Sequence, residues 1–466
     1  MKRKLFCQLF TGVVFLITTL LLISCDELIG EFDNPVSTEP TTALTPASIG
    51  FALEKKFLGT EDGNFTLVAA NTGDGTVSYS SEVTSVATVN PTTGEVTPIA
   101  AGTTHIIATV EDSENYGYET KTAQYTLEVG EGYRILKWDE TKKDVVSDFA
   151  TGTVLEGSIA NTAITNATYI IKGNVTTTGS ITLSGATTLV LLNGAKLSVT
   201  GKISGNGNDL AICAQSEGED MGELEVTQPD DFPAIAQVMD FNIYGGKITA
   251  TTQGHSTMPA IEMPLASQYL NIYGGDVTVQ GSHESGASDG GAGIRGNNIT
   301  ITGKAVVTAK GGNYTGTSDG IKGGYGIYAA NLVASGQARV FATGGDSTDG
   351  TNTKGGIGLS SLTIEGDAYV KAQGGKGHGV EQGGLGIAGS TTYNGGQIEA
   401  YGGLNGDETT YNTAIRGTLV NGIDDDVTFQ ISDDGTTWAD YPLTPNQSVD
   451  VSSTPAIQKP CFRKTN

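Results

Sequence analysis

The chain has 466 residues, 66 of them glycine and 13 proline, with 7% aromatic residues and a formal charge of −25. Its Val, Ile, Thr and Ala bulk lacks the Pro/Ser bias of disordered chains and shows no Gly-X-Y period, which excludes both disorder and a collagen-like rod. A surface this acidic repels nucleic acid and anionic membranes, and it can hold an anionic polysaccharide only through bridging cations or local basic spots.

Lys2, Arg3 and Lys4 precede an apolar run from Leu5 to Ile23, which ends in Leu22-Ile23-Ser24-Cys25. This is the pattern of a targeting segment. It resembles a bacterial lipoprotein signal, which implies that residues 1–24 are removed and that Cys25 is acylated. The chain would then touch the bilayer through Cys25 only, anchored rather than spanning, with a charge near −28 (−25 − 3). Asp26 and Glu27 resemble a surface-export signal of some Gram-negative phyla and an inner-membrane retention signal of others. The modules downstream favour an outer-membrane lipoprotein exposed at the cell surface. Cys7 leaves with the signal, and a disulfide needs Cα atoms within about 7 Å. Cys213 and Cys461 fall near opposite ends of the repeats below and are expected to be unpaired.

Residues 25–45 are acidic and proline-punctuated and read as a flexible tether. Residues 46–130 alternate strand-like runs with Gly, Asn and Asp turns, the pattern of a small antiparallel sandwich. The elements S-V-A-T-V, T-G-E-V and A-A-G-T within Val77–Val110 resemble, in order and spacing, the group 2 bacterial Ig-like domain. That resemblance implies a spacer or adhesion module of surface proteins.

Residues 131–426 carry a repeat. F-N-I-Y-G-G-K-I-T-A at Phe241 returns 29 residues later as L-N-I-Y-G-G-D-V-T-V. Three registers run through the segment. One is Val175, Leu197, Leu224, Ile248, Val277, Val307, Val340, Val370 and Ile398; a second is Phe241, Leu270, Ile299, Leu332 and Leu362. The third is Ile235, Ile261, Ile294, Ile327, Ile357, Ile387 and Ile415. Three inward strands per repeat with no 3.6 period predict a right-handed parallel β-helix of about nine or ten coils. Coils about 4.8 Å apart make it a rod on the order of 45 Å long. Paired glycines, among them 245–246, 274–275, 311–312, 344–345, 374–375, 383–384 and 402–403, mark corners that need positive φ or close backbone approach. The mixed-charge stretch W-D-E-T-K-K-D-V-V-S-D-F within residues 131–170 is expected to cover the first coil. Residues 427–466 break the repeat, and a hairpin turning at Asp434-Gly435 is expected to cap the last coil. The fold class is therefore all-β, an Ig-like β-sandwich followed by a right-handed parallel β-helix.

Candidate chemistry lies in the loops. Asp289, Asp319 and Asp349 each stand in an S/T-D-G triplet, spaced by 30 residues. Stacked carboxylates would suit Ca²⁺, and the same triplet is also ordinary turn chemistry. Tyr244 and Tyr273 share an outward slot, with Tyr393 in the slot further on; Tyr314, Tyr325, Tyr328, Tyr401 and Tyr411 lie in or beside loops. Exposed aromatic faces can stack on sugars, and they can equally pack beneath a loop. Polygalacturonase-type β-helices resemble this chain only at Gly377-His378-Gly379, without the carboxylate elements expected nearby, and Arg295 and Arg416 lack an adjacent Asp cluster. The recurring I-x-I-x-G and D-G-I-K-G (Asp319–Gly323) resemble β-helical carbohydrate-binding domains of bacterial surface proteins. The reading that follows is non-catalytic binding of polysaccharide or host glycan by a surface-anchored rod. The alternatives are a structural or adhesive protein with a protein partner, and a polysaccharide lyase or glycoside hydrolase.

Overall fold

The computed structural model describes residues 47–111, 120–159, 163–349, 352–379, 382–432, 437–450 and 461–464. The signal, Cys25, the tether, the Asp434-Gly435 turn and the side chain of Cys461 lie outside the described residues. Those described form strands and turns without a helix.

The N-terminal unit is a sandwich. A four-stranded sheet runs in the order Lys55–Gly59, Thr120–Gly130, Gly102–Glu111 and Ser78–Ser81; a three-stranded sheet holds Phe65–Thr66, Glu95–Pro98 and Ala87–Val89. Alternating residues of both sheets, Leu58, Ala87, Val96, Ile106, Tyr125 and Leu127 among them, share one buried core. Period-2 alternation places these residues on the inner faces.

The larger unit is one 26-stranded sheet, parallel along most of its length, in which a strand pairs with the one three places further on, or two places further on where two short strands are fused into one. Three in-register ladders result. The first register of the sequence is one column: Val175, Leu197, Leu224, Ile248, Val277, Val307, Val340, Val370 and Ile398 are matched partner to partner. All nine are at most 1% exposed. Phe241, Leu270, Ile299 and Leu332 form a second column. A repeat by itself buries little, and stacking it on its neighbours buries the whole stripe.

The third column differs from the sequence expectation at one place. Ile327 pairs with Leu359, which pairs with Ile387 and then Ile415. Ile357 lies two residues short of that position: its carbonyl accepts from Gly326 N as the Tyr325 carbonyl accepts from Gly293 N. The loop before Leu359 is two residues longer than even spacing predicts, which moves the inward position by one alternation.

The glycine pairs are of two kinds. Gly246 and Gly275 have φ of 100° and 81° and turn the corner between the first two ladders. The pairs in the long loops instead bring backbones together. From Ser282 O a run of amide-to-carbonyl bonds passes through Gly291, Gly312, Gly324, Gly345, Gly356, Gly375, Gly384 and Gly403 to Asn412, each 2.7–2.9 Å. It zigzags between the outgoing and returning arms of successive loops. A Cβ on Gly312 would fall on the Ser282 carbonyl oxygen, and one on Gly384 on that of Gly356.

The hairpin Tyr133–Asp139 and Asp144–Ala150 is a separate two-stranded sheet, with Ile135 in the core cluster of the stack. It lies along the flank. Arg134 Nη1 donates to Gln215 O at 2.6 Å, and Trp138 stacks on Tyr273 with centroids 4.7 Å apart. Cβ atoms added at Gly245, Gly274 and Gly303 would meet Leu136, Val145 and Trp138. The sandwich is fixed to this hairpin through Asp62, which accepts from Gly59 N, Arg134 N and Gln215 Nε2 at 2.6, 3.1 and 2.7 Å. Burial raises the pKa of this carboxyl despite those bonds.

At the far end the parallel order stops. Ser448–Asp450 pairs antiparallel with Thr418–Asn421, and Cys461–Lys464 with Thr391–Tyr401 and Val427–Ser432. Cys213 is a free, buried thiol whose pKa burial pushes up to about 12.

The glycine run makes a stability prediction. Gly312→Ala should destabilise the stack by about 1–3 kcal/mol, the usual cost of an overpacked interior. Gly50→Ala, where a Cβ meets nothing, should leave thermal unfolding unchanged.

Candidate functional site

The tyrosines singled out in the sequence lie in different environments. Tyr244 and Tyr273 do share an outward slot and stack at 5.3 Å with 10° between planes, and Trp138 closes the stack from the hairpin side. Desolvation pushes the Tyr244 hydroxyl up to about 12. The pair is the seat of the hairpin. Tyr393 is not in that slot: it follows Ile272, Ile301, Ala334 and Ile364 in an inward column, is fully buried, and meets Phe429 edge-on at 5.2 Å. Asn394 occupies the outward slot there.

Tyr314 is also fully buried. Its hydroxyl donates to Gly286 O at 2.8 Å and accepts from Ser318 N at 2.9 Å, so it forms the interior of its loop. Tyr411 opposes Leu404 across an antiparallel bridge within the last long loop. Tyr325 and Tyr328 come together at an open surface.

These two rings meet edge-to-face, 4.9 Å apart at 67°, and Tyr328 is 45% exposed. They line a cleft of about 310 Å³ with Arg295, Lys322, Asp289 and Thr257. Alternation along the strand Ile327–Ala334 sends Ile327 inward and Tyr328 outward. Register places Tyr328 beside Arg295, which in turn lies beside Glu262. Arg295 Nη1 is 3.7 Å from Glu262 Oε1. Lys322 Nζ lies 5.2 Å above the Tyr325 ring and 3.6 Å from Asp289 Oδ2. The cleft therefore offers two aromatic faces, both signs of charge and a threonine hydroxyl, a set suited to a ring that is apolar on its face and polar on its rim.

The three loop aspartates do not stack. Asp289 Oδ1 accepts from Lys322 N at 3.2 Å, and Lys322 bridges in parallel to Lys354. Lysines thus follow Asp289 in that column. Gly320 N, next to Asp319, donates to Asn352 O, three residues past Asp349. The arms return with an offset of 33 residues where the triplets repeat every 30, so the carboxylates drift apart. Among the described residues no group of three or more His, Cys, Asp or Glu converges as a metal site. These residues do not fit a calcium ladder.

His378 lies in the short strand His378–Gly379, paired antiparallel with Asn352–Thr353. A further cavity of about 350 Å³ separates the hairpin tip, Lys142–Asp144, from Gly303, Gly336 and Gly366.

Residues 64–118 match the family model of the bacterial Ig-like domain (group 2), within the sandwich. A search of curated proteins returned no match to the chain.

With Asp289 tied to Lys322 and the aspartates out of register, saturating calcium or a chelator should leave the thermal midpoint unchanged. A calcium-dependent rise in a differential scanning melt would contradict this geometry.

Proposed function

We propose that the protein is a surface lipoprotein in which an Ig-like spacer carries a right-handed parallel β-helix. In this reading the rod binds polysaccharide or host glycan without cleaving it. The three-strand period and in-register parallel pairing support the β-helix. The strong preference of parallel crossovers for one hand supports a right-handed one.

The observation that carries the binding role is the Tyr325–Tyr328 pair, an exposed aromatic corner beside Arg295 and Lys322. A pyranose buries its apolar face on Tyr328 while its hydroxyls reach the guanidinium, ammonium and carboxylate around it. Desolvated aromatic contacts of this kind dominate binding energy, whereas rim charges tune orientation. Asp289 and Glu262 each face a cation, an arrangement for holding a polar ligand.

The bacterial Ig-like match at residues 64–118 supports the spacer. The L-I-S-C at Leu22–Cys25 supports lipidation at the Gram-negative outer membrane, with the spacer and rod outside. Cys25→Ser should shift the protein from the membrane fraction to the soluble fraction of the cell, and retention on membranes would count against the anchor.

Glycan-array profiling of the full chain should identify bound glycans. Tyr328→Ala should weaken the best of them by about tenfold or more in calorimetry, with an unchanged melt. Equal binding by wild type and variant, or release of oligosaccharides during incubation, would overturn the reading.

A further inference from the structure

The first ladder, that of Val175 through Ile398, changes character on its solvent face over its last three parallel strands, Arg339–Thr343, Tyr369–Gln373 and Gln397–Tyr401. Inward residues stay small and apolar: Val340, Ala342, Val370, Ala372, Ile398 and Ala400 are all buried. Outward positions are matched as Arg339 to Tyr369, Phe341 to Lys371 to Glu399, and Thr343 to Gln373 to Tyr401. In the three strands before them, the column of Phe341 holds only Thr249, Thr278 and Thr308.

Six of these outward groups, Arg339, Phe341, Tyr369, Lys371, Glu399 and Tyr401, make one continuous surface. Phe341 and Tyr369 lie 5.7 Å apart, the Arg339 guanidinium sits 5.2 Å over Tyr369 and 5.8 Å over Phe341, and Lys371 Nζ sits 5.3 Å over Tyr401. Glu399 fixes the Tyr401 ring. Tyr401 Oη donates to its carboxylate at 3.0 Å, and a hydrogen bond to the same carboxylate contributes to the raised pKa of Tyr369, after burial and its charge.

The cations are the telling part. Earlier on this ladder Lys196 and Lys247 pair with Glu223 and Glu225 at 2.8–3.7 Å. Neither Arg339 nor Lys371 has such an ion pair among the described residues, although the chain carries 51 acidic residues against 26 basic ones. Two cations laid over aromatic rings, without an ion-paired carboxylate, form a local basic spot on an acidic molecule. Carboxylates are the complementary charge, and the ring faces between them suit pyranoses.

We propose that this face is a second binding surface, distinct from the Tyr325–Tyr328 cleft, and that it takes a polysaccharide bearing carboxylates. The polymer lies along the stack across three strands spaced about 4.8 Å apart, its sugar faces on Phe341, Tyr369 and Tyr401 and its carboxylates on Arg339 and Lys371. The surface is flat and open, so it recognises the interior of a chain and requires no free end.

The test is affinity electrophoresis of the full chain through gels containing polygalacturonate or a neutral β-glucan. Wild type should be retarded by polygalacturonate, less so as salt is raised. The double variant Arg339→Gln/Lys371→Gln and the single variant Phe341→Ala should each lose retardation by about tenfold in apparent affinity, and Tyr328→Ala should retain it. All positions face solvent or half-face it, and unchanged melts verify folding. Three results would overturn the proposal: no retardation of wild type by polygalacturonate, equal retardation of wild type and the double variant, or a loss confined to Tyr328→Ala. Because Tyr328→Ala reads the cleft and the double variant reads the sheet face, failure of one site is distinguishable from failure of the other.

Discussion

The structure depends on how closely two stretches of backbone can approach. Between Ser282 and Asn412 the outgoing and returning arms of successive loops are zipped by amide-to-carbonyl bonds through glycine after glycine, with no room for a Cβ at Gly312, Gly324, Gly356 or Gly384. Each bond contributes modestly against water, about 0.5–1.5 kcal/mol, but an unpaired buried amide would cost more. The arrangement satisfies the backbone of long loops that would otherwise stand as unsupported flaps. It also converts those loops into continuations of the stack, which is why a cleft with defined walls can form at Asp289, Lys322 and Tyr325.

Glycine does a second job on the opposite corner. There Gly245, Gly274 and Gly303 clear a strip onto which the hairpin Tyr133–Ala150 settles, and the Trp138–Tyr273–Tyr244 stack fills it. The hairpin also joins the sandwich to the stack, since Asp62 of the sandwich bonds Arg134 of the hairpin and Gln215 of the stack. The aromatic pair that looks most like a binding slot in the sequence is thereby a joint between parts.

Electrostatics sort the outer surface. Most cations on the ladders lie within reach of a carboxylate, worth little individually at such exposure. Arg339 and Lys371, which have no such ion pair among the described residues, lie instead over the rings of Tyr369 and Tyr401, and Lys322 lies over Tyr325 while also facing Asp289. Aromatic and cationic groups facing water together are a poor choice for a passive rod and a reasonable one for a surface that meets polar rings.

How much of this was legible in the chain follows from what each signal encodes. Strand columns are local period-2 patterns, so Val175 through Ile398 could be aligned by eye, and the sandwich by its turn spacing. The sequence by itself determined an all-β chain, the in-register apolar columns and the presence of close-packed glycine. Register across loops of unequal length is not local. It moved Leu359 into the place assigned to Ile357, put Tyr393 inside, and brought lysines rather than Asp319 and Asp349 into the column of Asp289. The outward triplet of Arg339, Phe341 and Tyr369 was written in plain alternation, but it carried no loop or motif to draw notice. Only the tertiary structure decided which tyrosines are covered, because coverage depends on non-local register for Tyr393, on loop closure for Tyr314, and for Tyr244 and Tyr273 on where the hairpin lies, which is set by a strip of missing side chains on another part of the molecule.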